Sequence, residues 1–238
     1  MTGESFPLAQ QVLGILGTGR MGVRLAAMFA RAGRRVILGS RDPARAARIT
    51  NALAIAGLQP GSYDDAASAD IVLPAAFIRD GLFDLLHAHR SQLQGKLLVD
   101  ISNPFNDDYS DFITAWDESG AEQLQQRFPQ AHVVGAFKNI YWEVFDEPLF
   151  DGATSDILVV GDDTAAKDHF IEFAAGTPFR YLDAGPLRNA RTVERMTLLA
   201  GGLGRRLGYA PRMGWRFLGT PWTPGSHDRD GIDGLISR

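Results

Sequence analysis

Cysteine is absent from all 238 residues, which removes disulfides, thiol nucleophiles and thiolate metal sites together. No stretch approaches the ~18–20 uninterrupted apolar residues of a membrane-spanning helix, so no membrane partner is expected. The segment Met1 to Gln11 shows no basic stretch followed by an apolar one, so no secretory signal is read and a cytoplasmic protein is expected. Lysine is scarce, with 3 residues against 21 arginines, and the formal net charge of −4 argues against a nucleic-acid partner. No G-x-S-x-G, H-E-x-x-H or P-loop pattern occurs. His87 and His89 stand two apart on a helical stretch and do not share a face. Asp107, Asp108 and Asp111 read as a solvated loop, so no metal is expected.

What the chain does have is glycine in the right places. Val12 to Leu16 is a short apolar run, as a buried parallel strand should be, and Gly17-Thr18-Gly19-Arg20-Met21-Gly22 comes directly after it. In such a turn the first glycine permits the tight bend, the second lets backbone approach a pyrophosphate, and the third lets helix and strand pack closely. Met21, Leu25, Met28, Phe29 and Ala32 then recur at helical spacing, and Arg35 to Gly39 reads as the second strand. The context of strand, turn, amphipathic helix and strand points to a dinucleotide site, with amides at the helix N-terminus on the phosphates.

The adenosine end of that site is read from the residues just past the second strand. NAD enzymes place Asp or Glu there for the ribose hydroxyls; this chain has Ser40 and Arg41, with Arg45 one turn into the next helix. Asp42 is assigned to capping that helix, with Pro43 at its first position. Eight arginines and one acid lie between Arg20 and Arg48. A guanidinium grips a phosphate through two parallel hydrogen bonds and a carboxylate would repel it, so the expected cofactor is NADP.

Further strands are expected at 69–73, 96–100, 132–137, 157–160 and 180–182. Helices are expected from Asp42 to about Ala56, around 82–86, at 120–128, near 164–175 and from Leu187 to about Leu207. The alternation implies an α/β fold, a Rossmann-type doubly wound parallel sheet with a small, mainly helical C-terminal part. The expected organisation is an NADP-binding domain over 10–150, a substrate and dimerisation part over 151–218, and a tail over 219–238, disordered or laid as an arm on a partner subunit.

The stretches GTGRMG, VILGSRDP, LLVDISNPF, VVGAFKNI, LVVGDDTAAK, YLDAGPLRNARTVE and MGWRFLG run in order from Val12 to Leu218. In them the chain resembles the NADP oxidoreductases dependent on the deazaflavin coenzyme F420, and the cytoplasmic domain of the STEAP metalloreductases. The resemblance implies that Gly17 and Thr18 to Met21 (Thr18, Gly19, Arg20, Met21) cradle the pyrophosphate, and that Ser40, Arg41 and Arg45 hold the 2′-phosphate. It implies that Ala75, Ala76 and Phe77, Ser102 with Asn103 and Pro104, and Ala136 with Phe137 line the nicotinamide. The C-terminal part would complete a pocket for a small-molecule second substrate and a homodimer interface. The activity implied is hydride transfer between nicotinamide C4 and a stacked ring, F420 or a flavin, which needs aligned rings more than an acid or base.

The chain departs from that pattern at Lys138-Asn139, where related sequences usually read Asn-Thr or His-Thr. Lys138 is the candidate catalytic residue. As a proton donor to a carbonyl or imine it would need a depressed pKa, and as an attractor of an anionic acceptor it would face the acceptor pocket. As an ordinary strand-end lysine it would reach solvent. The competing functions are an NADPH-dependent reductase of a small carbonyl or imine compound and a non-catalytic NADP-binding sensor.

The arginine reading sets cofactor preference. Charge-assisted hydrogen bonds contribute about 1.5–3 kcal/mol each, so one good arginine contact gives about tenfold or more. NADPH should bind more tightly than NADH by at least that factor, and Arg41→Ala should weaken NADPH alone; titration of both cofactors checks it.

Overall fold

The computed structural model describes residues 10–220. Of the expected tail, all but Gly219 and Thr220 lies outside the described residues. Six parallel strands form the main sheet: β1 (Val12–Leu16), β2 (Arg35–Ser40), β3 (Leu58–Ser62), β4 (Ile71–Pro74), β5 (Leu97–Asp100) and β6 (His132–Gly135). Their order is β3-β2-β1-β4-β5-β6. Strand order therefore reverses between β1 and β4, and in such sheets the crevice beyond the carboxyl ends of the strands at that point is where ligands bind.

Alternation along the central strands sends neighbours to opposite faces. Ile71, Leu73, Leu97 and Val99 join one core with Leu25 and Phe29 of α1 (Arg20–Arg31). Val72 and Leu98 join the other, with Ala66 of α3 (Tyr63–Ala67), Leu82 and Leu86 of α4 (Leu82–Ala88), and Leu124 of α5 (Gly120–Arg127). Helices thus cover both faces. Asp42 caps α2 (Pro43–Leu53), accepting from the Ala44 amide at 3.0 Å, with Pro43 at the first position. That helix ends earlier than expected, because Ala54 turns left-handed with φ 49°.

Three strands went unforeseen, the two short ones at Leu149–Phe150 and Ala153–Thr154 and one in the main sheet. The sequence of β3, LQPGS, has a proline and a glycine where strand signals want branched side chains. Proline is tolerated because β3 is an edge strand paired only to β2. The strand expected over 132–137 stops at Gly135.

The C-terminal part begins in a hairpin of β7 (Leu149–Phe150) and β8 (Ala153–Thr154). It continues as β9 (Asp156–Val159), α6 (Thr164–Phe173), β10 (Arg180–Asp183) and α7 (Ala190–Leu207), with β9 and β10 parallel. Gly135 and Val160 exchange two backbone hydrogen bonds, of 2.8 and 3.0 Å, that fasten β9 beside the end of β6. The first core runs on through Ile157, Phe170 and Phe173. Asp156 is buried and takes a bidentate Arg180 at 2.7 and 2.6 Å, and the Phe217 amide at 2.7 Å. Burial alone would raise its pKa, and Arg180 with the Phe217 amide outweighs burial and holds it below 3.8. The segment after α7 is thereby pinned across β9. Among the described residues no helix is long and apolar enough to cross a membrane.

The tightest packing in the sheet is at Gly14, where a Cβ would stand 1.8 Å from the Ala66 carbonyl oxygen of α3. That atom is backbone and cannot rotate away. Gly14→Ala should therefore displace α3 from β1 and cost about 3 kcal/mol, read as a lowered midpoint in urea unfolding.

Candidate active site

The crevice is built first from backbone. Gly17, at φ 134°, donates its amide to Gly39 O at 3.0 Å, and the Ala75 amide donates to Leu16 O at 2.9 Å. A Cβ on Gly17 would meet the Ala75 carbonyl at 2.8 Å, and one on Gly22 would meet the Gly17 carbonyl at 2.1 Å. Gly19 is different: a Cβ there would meet nothing within 4 Å. It is the N-cap of α1, makes no side-chain cap bond, and is followed by a first turn free of acids. The first-turn amides of α1 have no carbonyl in their own helix to reach. Open space in front of such amides and the positive end of the helix dipole suits a phosphate group. These residues fit a dinucleotide pyrophosphate.

Around this cradle the arginines divide their work. Arg45 donates Nε to Thr18 Oγ1 at 2.9 Å and a terminal nitrogen to Thr18 O at 3.3 Å, bracing the glycine turn. Ser40 is buried and its hydroxyl accepts from the Asp42 amide at 3.1 Å. Arg41 is exposed and has no hydrogen bond or ion pair among the described residues. Asp42 is turned to its helix and lies 3.6 Å from Arg48. The strand end thus presents a free guanidinium and a carboxylate already in use, which fits a 2′-phosphate. Arg20 lies over the Trp142 ring at 5.1 Å, while Met21 packs half-buried on the core.

The other end of the crevice is lined by buried and partly buried side chains. Ala75 and Ala76 are partly buried on either core, and Phe77 contacts Phe105 and Tyr109 edge-on. Asn103 and Pro104 are buried. Ala136 and Phe137 are buried too, and the Phe137 ring points into the core among Phe29, Phe145, Phe170 and Tyr181. Phe137 was expected to line the nicotinamide; at a backbone φ of 56° its ring is turned into the core, away from the strand ends.

Lys138 departs furthest from expectation. Its side chain has 0% exposure, so it neither reaches solvent nor faces an acceptor. The ammonium lies 2.6 Å from Asp100 Oδ2 and 2.9 Å from Glu194 Oε1, and donates to the Ser102 carbonyl. Burial alone would lower its pKa; the two carboxylates outweigh burial and raise it. A donor tuned toward neutrality is therefore corrected to a lysine held protonated. Glu194 accepts from the Gly120 and Ala121 amides at 3.0 and 3.2 Å, at the N-terminus of α5. Burial, with Asp100 nearby, raises its pKa despite Lys138 and those amides. Asp100 also accepts from the Ser102 amide and hydroxyl at 2.9 and 2.6 Å. Asn103 Nδ2 donates to Lys138 O at 2.8 Å, and the Thr197 hydroxyl donates to that carbonyl as well. Asp100, Glu194 and Thr197 went unread in the sequence. Asp100 closes a strand, and the other two lie on a helix more than fifty residues from Lys138, so no local spacing marks them.

The second candidate space is a cavity of about 620 Å³ lined by Phe150, Thr154, Tyr209, Arg212, Met213 and Trp215, among others. It lies between the β7–β8 hairpin and the segment after α7. Ser155 on its wall precedes Asp156, whose carbonyl accepts from Asn139 Nδ2 at 2.7 Å. Asn139 directly follows Lys138.

Comparison with known proteins bears on this geometry. The family model described as NADP oxidoreductase, coenzyme F420-dependent, matches residues 12–104. The chain is 32% identical over 206 residues to an F420-dependent NADP reductase of Methanothermobacter thermautotrophicus, covering 81% of this chain and 88% of that one. It is 35% identical over 187 residues to metalloreductase STEAP3 of Rattus norvegicus, covering 78% of this chain and spanning only 36% of that protein's length. Among solved structures, a protein of Arthrobacter sp. FB24 assigned as an F420-dependent NADP reductase superposes with a TM-score of 0.75 at 26% identity. The match covers 84% of this chain and 96% of that one.

The buried ions make a stability prediction. Lys138 and Glu194 both bind their protons more tightly folded than unfolded, so both make stability fall as pH rises. Glu194 acts from its ordinary 4.5 upward, and the Lys138 contribution is lost only above 10.5 as pH passes its folded pKa. Lys138→Met should cost about 3–5 kcal/mol near pH 7 by leaving two carboxylates unpaired. It should also remove the alkaline limb above 10.5; urea unfolding across pH checks both.

Proposed function

The chain belongs to the F420-dependent NADP oxidoreductases and is an NADP-dependent oxidoreductase, and we propose that its hydride acceptor is the deazaflavin coenzyme F420. The observation that carries this reading is that the buried donors around Ser102, Asn103 and Lys138 are already engaged by protein partners. Among the described residues there, the Lys138 ammonium is engaged by two carboxylates, the Ser102 hydroxyl by Asp100 and the Asn103 amide nitrogen by Lys138 O. The Tyr141 hydroxyl donates to Thr197 O at 2.8 Å. Reduction of a carbonyl or imine calls for a positioned acid. Transfer between two stacked rings calls for alignment instead. A flavin satisfies the same argument less well, since family membership favours the deazaflavin.

In this reading the first-turn amides of α1 and the space before Gly19 receive the pyrophosphate. Arg41 grips the 2′-phosphate, and Arg45 keeps the glycine turn in shape through Thr18. Ala75 to Phe77 and the Ala136–Phe137 peptide wall the nicotinamide and exclude water. Bound NADPH supplies the hydride. The cavity beside the β7–β8 hairpin has the volume of a small-molecule site, of the order of 300–1,000 Å³, and we assign it to the acceptor. Its aromatic and arginine lining suits a planar ring with an anionic tail. A cytoplasmic homodimer completes the proposal; the exposed Leu199, Leu203 and Leu207, at helical spacing along α7, support the dimer.

NADPH deuterated at C4 should deliver its label directly to F420. Label arriving only from solvent would refute ring-to-ring transfer. Oxidation of NADPH by small imines or carbonyls but not by F420 or flavins would favour the alternative reductase. Tight NADPH binding with no turnover of any acceptor would favour a sensor.

A further inference from the structure

Phe137 takes a left-handed backbone conformation at φ 56°. For a bulky residue this state is strained and persists only where the surroundings over-determine it. Two anchors hold it. On one side the Phe137 ring is wedged edge-on against Phe29 at 6.1 Å and Tyr181 at 5.9 Å. On the other side stands Lys138, which is fixed at both ends.

The Lys138 carbonyl receives Asn103 Nδ2 and the Thr197 hydroxyl. Its side chain folds back across Gly135, where a Cβ would come within 3.0 Å of Lys138 Cε. The ammonium then reaches Asp100, the Ser102 carbonyl and Glu194. One residue thus ties the 136–138 segment to the 102–104 segment through main chain and side chain at once, and ties both to α7. We propose that Lys138 is a positioning residue for hydride transfer, holding the Ala136–Phe137 peptide against Ser102–Pro104 so that the nicotinamide ring is presented at a fixed height and tilt. The inference rests on the proposed reading of the crevice as an NADPH site. It differs from a purely structural salt bridge in what it demands of the ring rather than of the fold.

The test is the double substitution Lys138→Met with Glu194→Gln. It cuts the ammonium tether while leaving the formal charge of the buried group unchanged, since one positive and one negative charge are removed together. Three readings are taken: affinity for 2′,5′-ADP, the fluorescence emission and anisotropy of bound NADPH, and the single-turnover rate of hydride transfer to F420 with protiated and deuterated NADPH. 2′,5′-ADP, which lacks the nicotinamide, should bind as to the native protein. Bound NADPH should show a shifted emission and lower anisotropy. Transfer should slow by about 10²-fold, the effect of a ring misplaced by ~1 Å, and show its full isotope effect at saturating NADPH. Thr197→Val, which removes one hydrogen bond on the Lys138 carbonyl and no charge, should slow transfer by about fivefold; it carries the test if the double variant does not fold. Native NADPH fluorescence and native transfer rates in the folded variants would overturn the inference. Failure of the unsubstituted protein to reduce F420 would instead strike the acceptor assignment, and the NADPH fluorescence would still decide the role of Lys138.

Discussion

An ammonium and two carboxylates with no access to solvent are the constraint around which the 100–104 and 135–138 segments are arranged. Each such ion costs several kcal/mol to remove from water, and the cost is offset only by close pairing and full hydrogen bonding. Lys138, Asp100 and Glu194 pair closely from three separate elements, Asp100 Oδ2 through its ion pair alone, and the amides of Gly120 and Ala121 bring in a fourth. The end of β5, the turn after β6, the first turn of α5 and the second turn of α7 are therefore tied into one mutual arrangement. The C-terminal helix is not merely attached to the sheet; its Glu194 gives Lys138 its second carboxylate and takes the first-turn amides of α5.

The two ends of the crevice follow different physical rules. At the glycine turn the structure offers first-turn backbone amides, open space at Gly19 and an exposed Arg41. At the other end the side-chain donors of Lys138, Ser102 and Asn103 are already partnered, Asn103 Oδ1 is buried without a hydrogen-bond partner, and the walls are buried or partly buried. In the proposed function the first end supplies binding energy and the second supplies geometry. That division suits a reaction in which remote contacts hold the reactants and the reacting ring needs only alignment.

Much of the fold was legible locally. The glycine turn, the capping of α2 by Asp42 and Pro43, and the periodicity of α1 each report on a few consecutive residues, and each element formed where those residues put it. The edge strand β3 was not legible, because Pro60 and Gly61 are acceptable only at an edge, and a strand's place in a sheet is a property of its neighbours. Phe137 stands within a stretch that reads as strand to its end, yet the ladder stops at Gly135 and the backbone turns left-handed two residues on. The cause is the pull of an aromatic core on one side and of distant carboxylates on the other.

The sequence by itself determined the class of the molecule. Alternating apolar runs and helical periodicities specify a parallel sheet covered on both faces, the glycine spacing specifies a dinucleotide turn, and an arginine where an acid is usual specifies the phosphate to be read. These are short-range facts of backbone freedom, periodicity and charge. The burial and pairing of Lys138 were decided only by tertiary structure. A lysine at a strand end can be a solvated charge, a proton donor or a tether. Choosing among them depends on the dielectric around it and on carboxylates 38 and 56 residues away along the chain, and those distances close only when the whole chain has folded.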